Sequence, residues 1–178
     1  VALDYQGREG IATALGHAPM AALIDPAVGS QLAIAESLTN IVFAPLTHGL
    51  KGVSLSANWM WPCKNEGEDA RLYRAVRAAS DFAVALGINI PTGKDSLSMT
   101  QKYKDGELVY APGTVIITSA AEVSDVKGCV SPVLRQAASQ IVYVDMSRCD
   151  FELGGSAFAQ IVGKVGRTAP SIADAGYF

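Results

Sequence analysis

A long amphipathic helix followed at once by a strand-like run is the feature that most constrains this chain. Apolar side chains recur at helical spacing from about Glu68 to Leu86, which predicts a helix with one buried face. Gly87 follows where a left-handed cap residue is expected, and a short strand is predicted at Asn89 to Pro91. Helices that alternate with strands are typical of an α/β or α+β fold.

A second helix is predicted from about Gly29 to Ala44, with Ser30 as its N-cap and Pro45 as its stop. Its apolar residues recur at helical spacing and predict a buried stripe made of Leu32, Ala35, Leu38, Ile41 and Val42. We expect a different side of this helix to be small and polar, and its members are Ala33, Glu36, Ser37 and Asn40.

Further runs have the apolar pattern of strands. They are Val53 to Asn58, a hairpin from Lys102 to Tyr110 around Asp105-Gly106, Thr114 to Val123, and Ile141 to Asp145. Residues before Pro26 predict a strand remnant, a loop and a short helical turn.

A domain boundary is predicted near residue 138. One strand and one helix after that point cannot enclose a core, so we assign residues 1–138 to one domain and residues 139–178 to the start of an incomplete second domain. The chain begins at Val1 rather than Met, and we therefore expect it to be processed or cut from something longer.

Composition excludes several classes of protein. Apolar residues make up 49% of the 178 residues and charged residues 17%, which is inconsistent with a disordered chain. The net charge of −3 and the absence of a basic face argue against a nucleic-acid partner, and no apolar run is long enough for a membrane span. The three cysteines form no CxxC pair, which argues against a disulfide framework or a structural zinc site and favours the cytoplasm.

Glu36 and Asn40 are the first candidates for a functional site. Residues four apart on a helix lie one turn apart on the same face, and both side chains offer the oxygen ligands that Mg²⁺ prefers. Their small neighbours Ala33 and Ser37 would leave room for a phosphate. From spacing alone, a solvated helix face remains the more common explanation of such a pair.

The segment from Gly93 to Met99, with the sequence GKDSLSM, is the second candidate. Lys94 can pair with a phosphate, and Ser96 can donate a hydrogen bond to one. The segment lacks the first glycine of a Walker A motif, and Asp95 follows the lysine, so it is not a P-loop. A strand in which Asp95 pairs with Lys94 explains the local sequence equally well.

Three other features have plain structural explanations. Trp59 and Trp61 in SANWMW favour packing over base stacking. The turn LGGS, Leu153 to Ser156, can bind an anion before a helix, but a tight turn with Ser156 as the cap is the favoured interpretation. Neither histidine has neighbours that indicate a triad, and no base is apparent for Cys63.

Six motifs in order resemble one enzyme family. They are AESLTN (Ala35 to Asn40), SANWMW (Ser56 to Trp61), GED (Gly67 to Asp69), GKDSLSM (Gly93 to Met99), APG (Ala111 to Gly113) and LGGSA (Leu153 to Ala157). From Val1 to about Gly166 the chain resembles the second half of the synthetase region of the large, multidomain phosphoribosylformylglycinamidine synthases, also called FGAM synthetases or FGAR amidotransferases. These enzymes belong to the superfamily of aminoimidazole ribonucleotide synthetase.

The resemblance implies a fold and a reaction. The fold would be the N-terminal domain of that superfamily, a mixed or antiparallel sheet flanked by helices, followed by the start of a C-terminal α/β domain. The whole enzyme would use ATP and glutamine to convert formylglycinamide ribonucleotide to formylglycinamidine ribonucleotide in purine biosynthesis. It would thus be a ligase that forms a C–N bond.

The resemblance also implies roles for particular residues. Glu36 and Asn40 would be Mg²⁺ ligands of an auxiliary ATP or ADP site, with further ligands outside residues 1–178. Lys94 and Ser96 would contact a phosphate or the other half of the synthetase region. No catalytic residue is carried over onto this chain.

The partners implied are the first synthetase half, a glutaminase domain and small-molecule substrates. We expect the chain alone to be inactive and to form a homodimer through the region from Asn89 to Val123. Two alternatives remain open at this point: a structural module that binds nucleotide only to stabilise an interface, and another ATP-dependent member of the same superfamily.

Overall fold

A computed structural model describes residues 1–134, 136 and 138–178 of the chain. The elements follow in the order β1 (Gly10–His17), α1 (Pro19–Ile24), α2 (Pro26–Ile41), β2 (Ser54–Met60), α3 (Glu68–Leu86), β3 (Asn89–Ser96), β4 (Thr100–Lys102), β5 (Leu108–Tyr110), β6 (Thr114–Val123) and α4 (Ala157–Ile161). Short 3₁₀ turns lie at Gly49–Gly52 and Val126–Gly128.

A four-stranded mixed sheet in the order β1-β6-β2-β3 is the framework. Strand β6 is antiparallel to both of its neighbours, whereas β2 and β3 are parallel. The predicted α/β class is therefore confirmed. The pair β4–β5 forms the predicted hairpin, and Gly106 in its turn has φ +93.

Helices α2 and α3 cover one face of the sheet. The shared core contains alternate residues of two central strands, such as Leu55 of β2 and Ile117 of β6, together with Ile34 and Leu38 of α2 and Phe82 of α3. The residues between them in the strands face the other way. On that second face, which we call the open face, Ile11 and Leu15 of β1 are exposed.

The predicted helix from Glu68 to Leu86 is confirmed at both ends. It ends at Gly87, whose φ of +70 is in the left-handed region that residues with a side chain rarely adopt. The strand predicted at Asn89 to Pro91 is longer than expected and continues to Ser96, because β3 pairs with β2 as far as Met60.

The second helix was predicted three residues too late. Its N-cap is Asp25, whose carboxylate accepts from the N–H groups of Ala27 and Val28, and Pro26 occupies the first turn. Ser30 is wrong as the cap, because it lies buried inside α2 and its hydroxyl donates to the carbonyl of Pro26.

The buried side of α2 also differs from the prediction. Ala33 and Ser37 are completely buried, whereas Val42 is 49% exposed. The two small residues face the sheet rather than solvent, so the predicted small and polar side does not exist as a unit.

The run Ile141 to Asp145 is not the buried strand that its sequence predicts. Its residues form no strand, and Ile141 is 94% exposed. The chain after it returns to the helical layer, where Phe178 packs edge-on against Phe82 with ring centroids 5.6 Å apart. The boundary placed at residue 138 stays a prediction.

Candidate functional site

The side chains of Glu36 and Asn40 reach from α2 to the edge of β1. Glu36 Oε2 accepts a hydrogen bond from the backbone N–H of His17 at 2.5 Å. Asn40 Nδ2 donates to the backbone carbonyl of Leu15 at 3.0 Å. Among the described residues no hydrogen bond engages Glu36 Oε1 or Asn40 Oδ1, so each side chain keeps one oxygen available as a ligand.

Gly16 explains how β1 comes so close to α2. A Cβ at Gly16 would lie 1.8 Å from the carbonyl oxygen of Ala33 and 2.5 Å from the backbone nitrogen of Ser37. Only glycine fits such a contact between two backbones. Ala33 and Ser37 are therefore small because the strand packs on them, and the space that the sequence suggested for a phosphate at these residues is filled by β1.

A cavity of about 540 Å³ lies beside Glu36. Its walls come from the end of β1, from α1, from α2 and from the segment after residue 145, and they include His17, Met20, Leu32, Met146, Gly155 and Phe178. Asn40 lies one turn further along α2 and is not part of these walls. The cavity is mostly apolar with a carboxylate at its edge, which suits a ligand that has a flat apolar part and a charged part.

The donor set of Glu36 and Asn40 suits a hard divalent cation but is incomplete. A carboxylate and an amide oxygen are ligands that Mg²⁺ accepts, and Mg²⁺ commonly takes phosphate oxygens and waters for the rest of its shell. Within residues 1–134, 136 and 138–178, no group of three or more His, Cys, Asp or Glu side chains could hold a metal ion. The pair could therefore bind a cation only together with ligands from a bound molecule or another segment.

Lys94 and Ser96 lie at the opposite edge of the sheet. Strand β3, which carries them, is separated by β6 and β2 from β1, the strand that Glu36 and Asn40 contact, so these two strands lie about 14 Å apart at the usual strand spacing. Lys94 Nζ donates to Ser96 Oγ at 2.8 Å, and no ion pair between Lys94 and Asp95 occurs in the part of the chain that the structure describes. The structure thus does not bring the two predicted groups into one site.

Lys94 belongs to the open face. It stands opposite Asn58 of β2 in register, and Asn58 stands opposite Ile116 of β6. Residues directly opposite in a sheet point to the same side. A polar group from each of β2 and β3 therefore faces the side of the sheet that carries no helix.

Trp61 is a packing residue, in agreement with the sequence analysis. It is completely buried, and its indole Nε1–H donates to Glu68 Oε2 at 2.9 Å. Arg71 Nε lies 3.3 Å from the other oxygen of Glu68, and Arg71 Nη2 donates to the carbonyl of Ala22 at the end of α1. The sequence analysis missed this link between β2 and the wall of the cavity; the GED motif that contains Glu68 was its only signal.

The turn LGGS is a structural turn in the described chain. Ser156 caps α4 by accepting from the N–H of Ala159. Gly155 has φ +74, and a Cβ there would lie 2.7 Å from the backbone nitrogen of Ala21. The two glycines thus let the segment after residue 145 pack directly on α1, beside the cavity.

Cys63 has the environment of an unreactive thiol. Its pKa is raised from the ordinary value, first by burial and then by the negative charges of Asp69, Glu68 and Asp95. A high pKa keeps the sulfur protonated and therefore weakly nucleophilic.

No helix among the described residues is long and apolar enough to cross a membrane.

A protein-family model described as the FGAR-AT PurM_N-like domain matches residues 1–122. The human phosphoribosylformylglycinamidine synthase is 41% identical over 174 residues, which cover 97% of this chain and 13% of the human protein. The probable chloroplastic or mitochondrial phosphoribosylformylglycinamidine synthase of Arabidopsis thaliana is 38% identical over 179 residues, or 99% of this chain and 13% of the plant protein.

Among solved structures, phosphoribosylformylglycinamidine synthase II of Thermotoga maritima superposes with a TM-score of 0.53 at 18% identity. The match covers 73% of this chain and 20% of the Thermotoga chain. At that identity the likeness shows a shared fold. The chain spans about an eighth of the length of the two curated relatives above.

Proposed function

This chain belongs to the phosphoribosylformylglycinamidine synthase family, and from that membership we propose that it works as part of an ATP-dependent, glutamine-using ligase of purine biosynthesis. The whole enzyme converts formylglycinamide ribonucleotide to formylglycinamidine ribonucleotide. Identity of 41% to the human synthase over 97% of the chain supports this assignment. We place its action in the cytoplasm, although the name of the plant relative includes chloroplasts and mitochondria.

The contribution of this chain is an auxiliary Mg²⁺–nucleotide site with ATP or ADP as ligand. The observation that carries this proposal is the pair Glu36 and Asn40, each with one oxygen left free, next to an apolar cavity of about 540 Å³. Glu36 supplies a full negative charge and Asn40 a neutral oxygen. The bound cation would neutralise phosphate charge, while the apolar walls near Met20 and Leu32 would accept the base.

Lys94 and Ser96 serve a different contact in this proposal. They stand on the open face about three strands from Glu36, so they do not share its cation. A lysine beside a serine hydroxyl can hold a phosphate, and the same groups can contact a second domain laid against the open face. The remaining domains of the enzyme, above all the first synthetase half, are the partners that we assign to this face.

In this proposal the nucleotide bound by residues 1–178 stabilises the enzyme and does not take part in catalysis. Beside the cavity the Ser147 hydroxyl donates to Asp145 Oδ1 at 2.6 Å, but the pKa of Asp145 is lowered, mainly by this hydrogen bond, which makes the carboxylate a weak base; Cys63 lies elsewhere with a raised pKa. We therefore expect the isolated 178-residue chain neither to hydrolyse glutamine nor to form product. Product formed by the pure chain with ATP and glutamine would contradict this assignment.

The test of the nucleotide site is the double variant Glu36→Ala with Asn40→Ala in the full-length enzyme. We expect nucleotide that copurifies with the enzyme to fall to a small fraction of the wild-type amount. The matched control is Arg77→Ala with Asp81→Ala, an exposed pair with the same helical spacing on α3. Unchanged nucleotide content in the first variant, measured after denaturation and chromatography, would refute the site.

A further inference from the structure

The free edge of β1 is held by the same two side chains that we assign to the cation. Strand β1 is at the edge of the sheet, so alternate backbone groups face away from β6. The His17 N–H and the Leu15 carbonyl are two such groups, and they are bonded to Glu36 and Asn40 respectively.

The chemistry of these backbone groups fixes which atom of each side chain they bind. A backbone N–H can only donate, so it takes an oxygen of Glu36; a carbonyl can only accept, so it takes the NH₂ group of Asn40. The two oxygens that remain, Glu36 Oε1 and Asn40 Oδ1, are the ones suited to a cation. Without the Leu15 carbonyl, the Asn40 amide could turn its NH₂ group toward the ligand instead.

We propose that the end of β1 is a positioning element for the cation site, with the His17 N–H and the Leu15 carbonyl acting as outer-shell partners that orient Glu36 and Asn40. The proposal rests on the Mg²⁺–nucleotide site proposed above. Outer-shell hydrogen bonds of this kind fix ligand orientation, and their loss typically weakens metal binding about 10- to 100-fold.

Gly16 is the residue that makes this positioning possible. It lies between Leu15 and His17 and allows the strand to touch α2 at Ala33 and Ser37. Any side chain at this position would push the strand away from the helix and lengthen both hydrogen bonds.

The first experiment removes the backbone N–H of His17 and leaves the hydrogen bonds between β1 and β6 in place. The His17 N–H faces Glu36 rather than β6, so a proline there costs no strand pairing. His17→Pro is compared with His17→Ala, which removes the same imidazole but keeps the N–H. In the full-length enzyme, the readout is the Mg²⁺ concentration at which half of the added ADP is retained on a desalting column.

We expect this Mg²⁺ midpoint to be at least about tenfold higher in His17→Pro than in His17→Ala, because both variants lack the imidazole and only the proline also lacks the N–H. Equal midpoints in the two variants would overturn the positioning role alone. A wild-type enzyme that retains no ADP at any Mg²⁺ concentration would instead overturn the proposed cation site.

A second pair of variants distinguishes the effect of these side chains on the stability of β1 from their effect on cation binding. It also provides a test if His17→Pro does not fold. Glu36→Gln retains an oxygen for the His17 N–H and replaces the ligand oxygen with NH₂, so the Tm without Mg²⁺ should stay within about 2 °C while the Mg²⁺ midpoint rises. Asn40→Asp keeps an oxygen ligand but sets a carboxylate against the Leu15 carbonyl, and should lower the Tm without Mg²⁺ by about 3 °C or more. Wild-type Tm in Asn40→Asp would show that the amide does not hold β1 and would overturn the proposal.

Discussion

The indole Nε1–H of Trp61 donates to Glu68 Oε2 at 2.9 Å, and this bond joins the end of β2 to the first turn of α3. Trp61 is completely buried, so its N–H has no access to water as a substitute partner. Glu68 therefore fixes the helix relative to the strand from inside the protein.

Glu68→Ala should lower the free energy of unfolding by about 1–3 kcal/mol, because the buried indole N–H is left without an acceptor. Glu68→Gln keeps an oxygen for Trp61 and should cost clearly less. Asp69→Ala is the control, since Asp69 is in the same helical turn but bonds only its neighbour Ala70 among the described residues. Denaturant unfolding of the three variants measures the loss in free energy of unfolding for each. An equal loss in all three would mean that the charge at the helix terminus, not the hydrogen bond from the indole, determines the stability.

Asp25→Ala should destabilise the protein by about 1 kcal/mol through loss of the N-cap of α2. The carboxylate accepts from the N–H of Ala27 at 2.8 Å and also lies 3.4 Å from Arg74. Arg74→Ala removes only the partly exposed ion pair and should cost less than Asp25→Ala. Asp25→Ser, which can still cap, should recover most of the loss in thermal unfolding; a Ser variant as unstable as Ala would contradict the capping role.

The pKa of Asp125 should rise when Arg8 is replaced by Ala. In the folded protein this pKa lies below its usual value, mainly through the hydrogen bond from the Arg8 guanidinium and further through the N–H of Lys127. A lowered pKa in the folded state stabilises the protein above the unfolded value near pH 3.9, and this stabilisation is lost as the pH falls through the folded pKa.

Carboxyl chemical shifts followed by NMR over an acid titration measure this change. The midpoint of Asp125 should move up in Arg8→Ala but remain below the usual value, because the Lys127 N–H still donates. Asp4 is an internal control, since its pKa is lowered by the backbone N–H groups of Gly7 and Gln6 and should not respond to Arg8. An unmoved Asp125 midpoint would show that the arginine is not the main cause.

Cys63 should be alkylated more slowly than Cys129 by iodoacetamide at pH 7.5. Burial and three nearby carboxylates raise the pKa of the Cys63 thiol, whereas Cys129 is exposed on the surface. Mass spectrometry of peptides from timed samples gives both rates in one experiment. The difference should vanish in denaturant, and an equal rate in the folded protein would contradict the environment described for Cys63.

We expect the isolated chain to form a homodimer through the region from Asn89 to Val123, whose strands β3 and β6 contribute to the open face. Light scattering over a dilution series should show a dimer that dissociates at low concentration. Leu15→Lys places a charge on the open face, where Leu15 is 59% exposed, and should shift the equilibrium toward monomer. Val84→Lys changes an equally apolar, 76% exposed residue on α3 and should leave the dimer intact; a wild-type chain that is monomeric at every concentration would contradict the expectation.

The parts of the fold that were predicted correctly are those governed by local sequence. Helix α3 has a regular apolar period and is followed by a glycine that adopts the left-handed cap conformation, so both of its ends could be predicted. The start of helix α2 was predicted too late because Ser30, rather than Asp25, was predicted as its cap, and its buried side was predicted wrongly because Ala33 and Ser37 contact a strand backbone rather than large side chains. Ile141 to Val144 has the composition of a buried strand, but a strand needs a neighbour, and the sequence of the run alone does not state whether one is present.

Only part of the candidate site could be predicted from the sequence. The spacing of Glu36 and Asn40 indicated a shared helix face, and this prediction holds for their position, while their role as cation ligands stays a prediction. Their hydrogen bonds to Leu15 and His17 could not be predicted, because each partner is a backbone group, 25 residues from Asn40 and 19 from Glu36, and carries no side-chain signature. The distance between Lys94 and Glu36 likewise depends on strand order, which local pattern does not encode.

The contact at Gly16 limits which mutations the codon for this residue can tolerate. Every change at the first or second base of a glycine codon yields either a stop signal or a residue that carries a Cβ, and the space at Gly16 is already taken by the carbonyl of Ala33. A substitution at Gly16 therefore meets backbone atoms, whereas a Cβ at Gly49 or Gly106 would meet nothing within 4 Å and is disfavoured only by the positive φ of those residues. A survey of natural variants in a population should find this codon changed only at its silent third base.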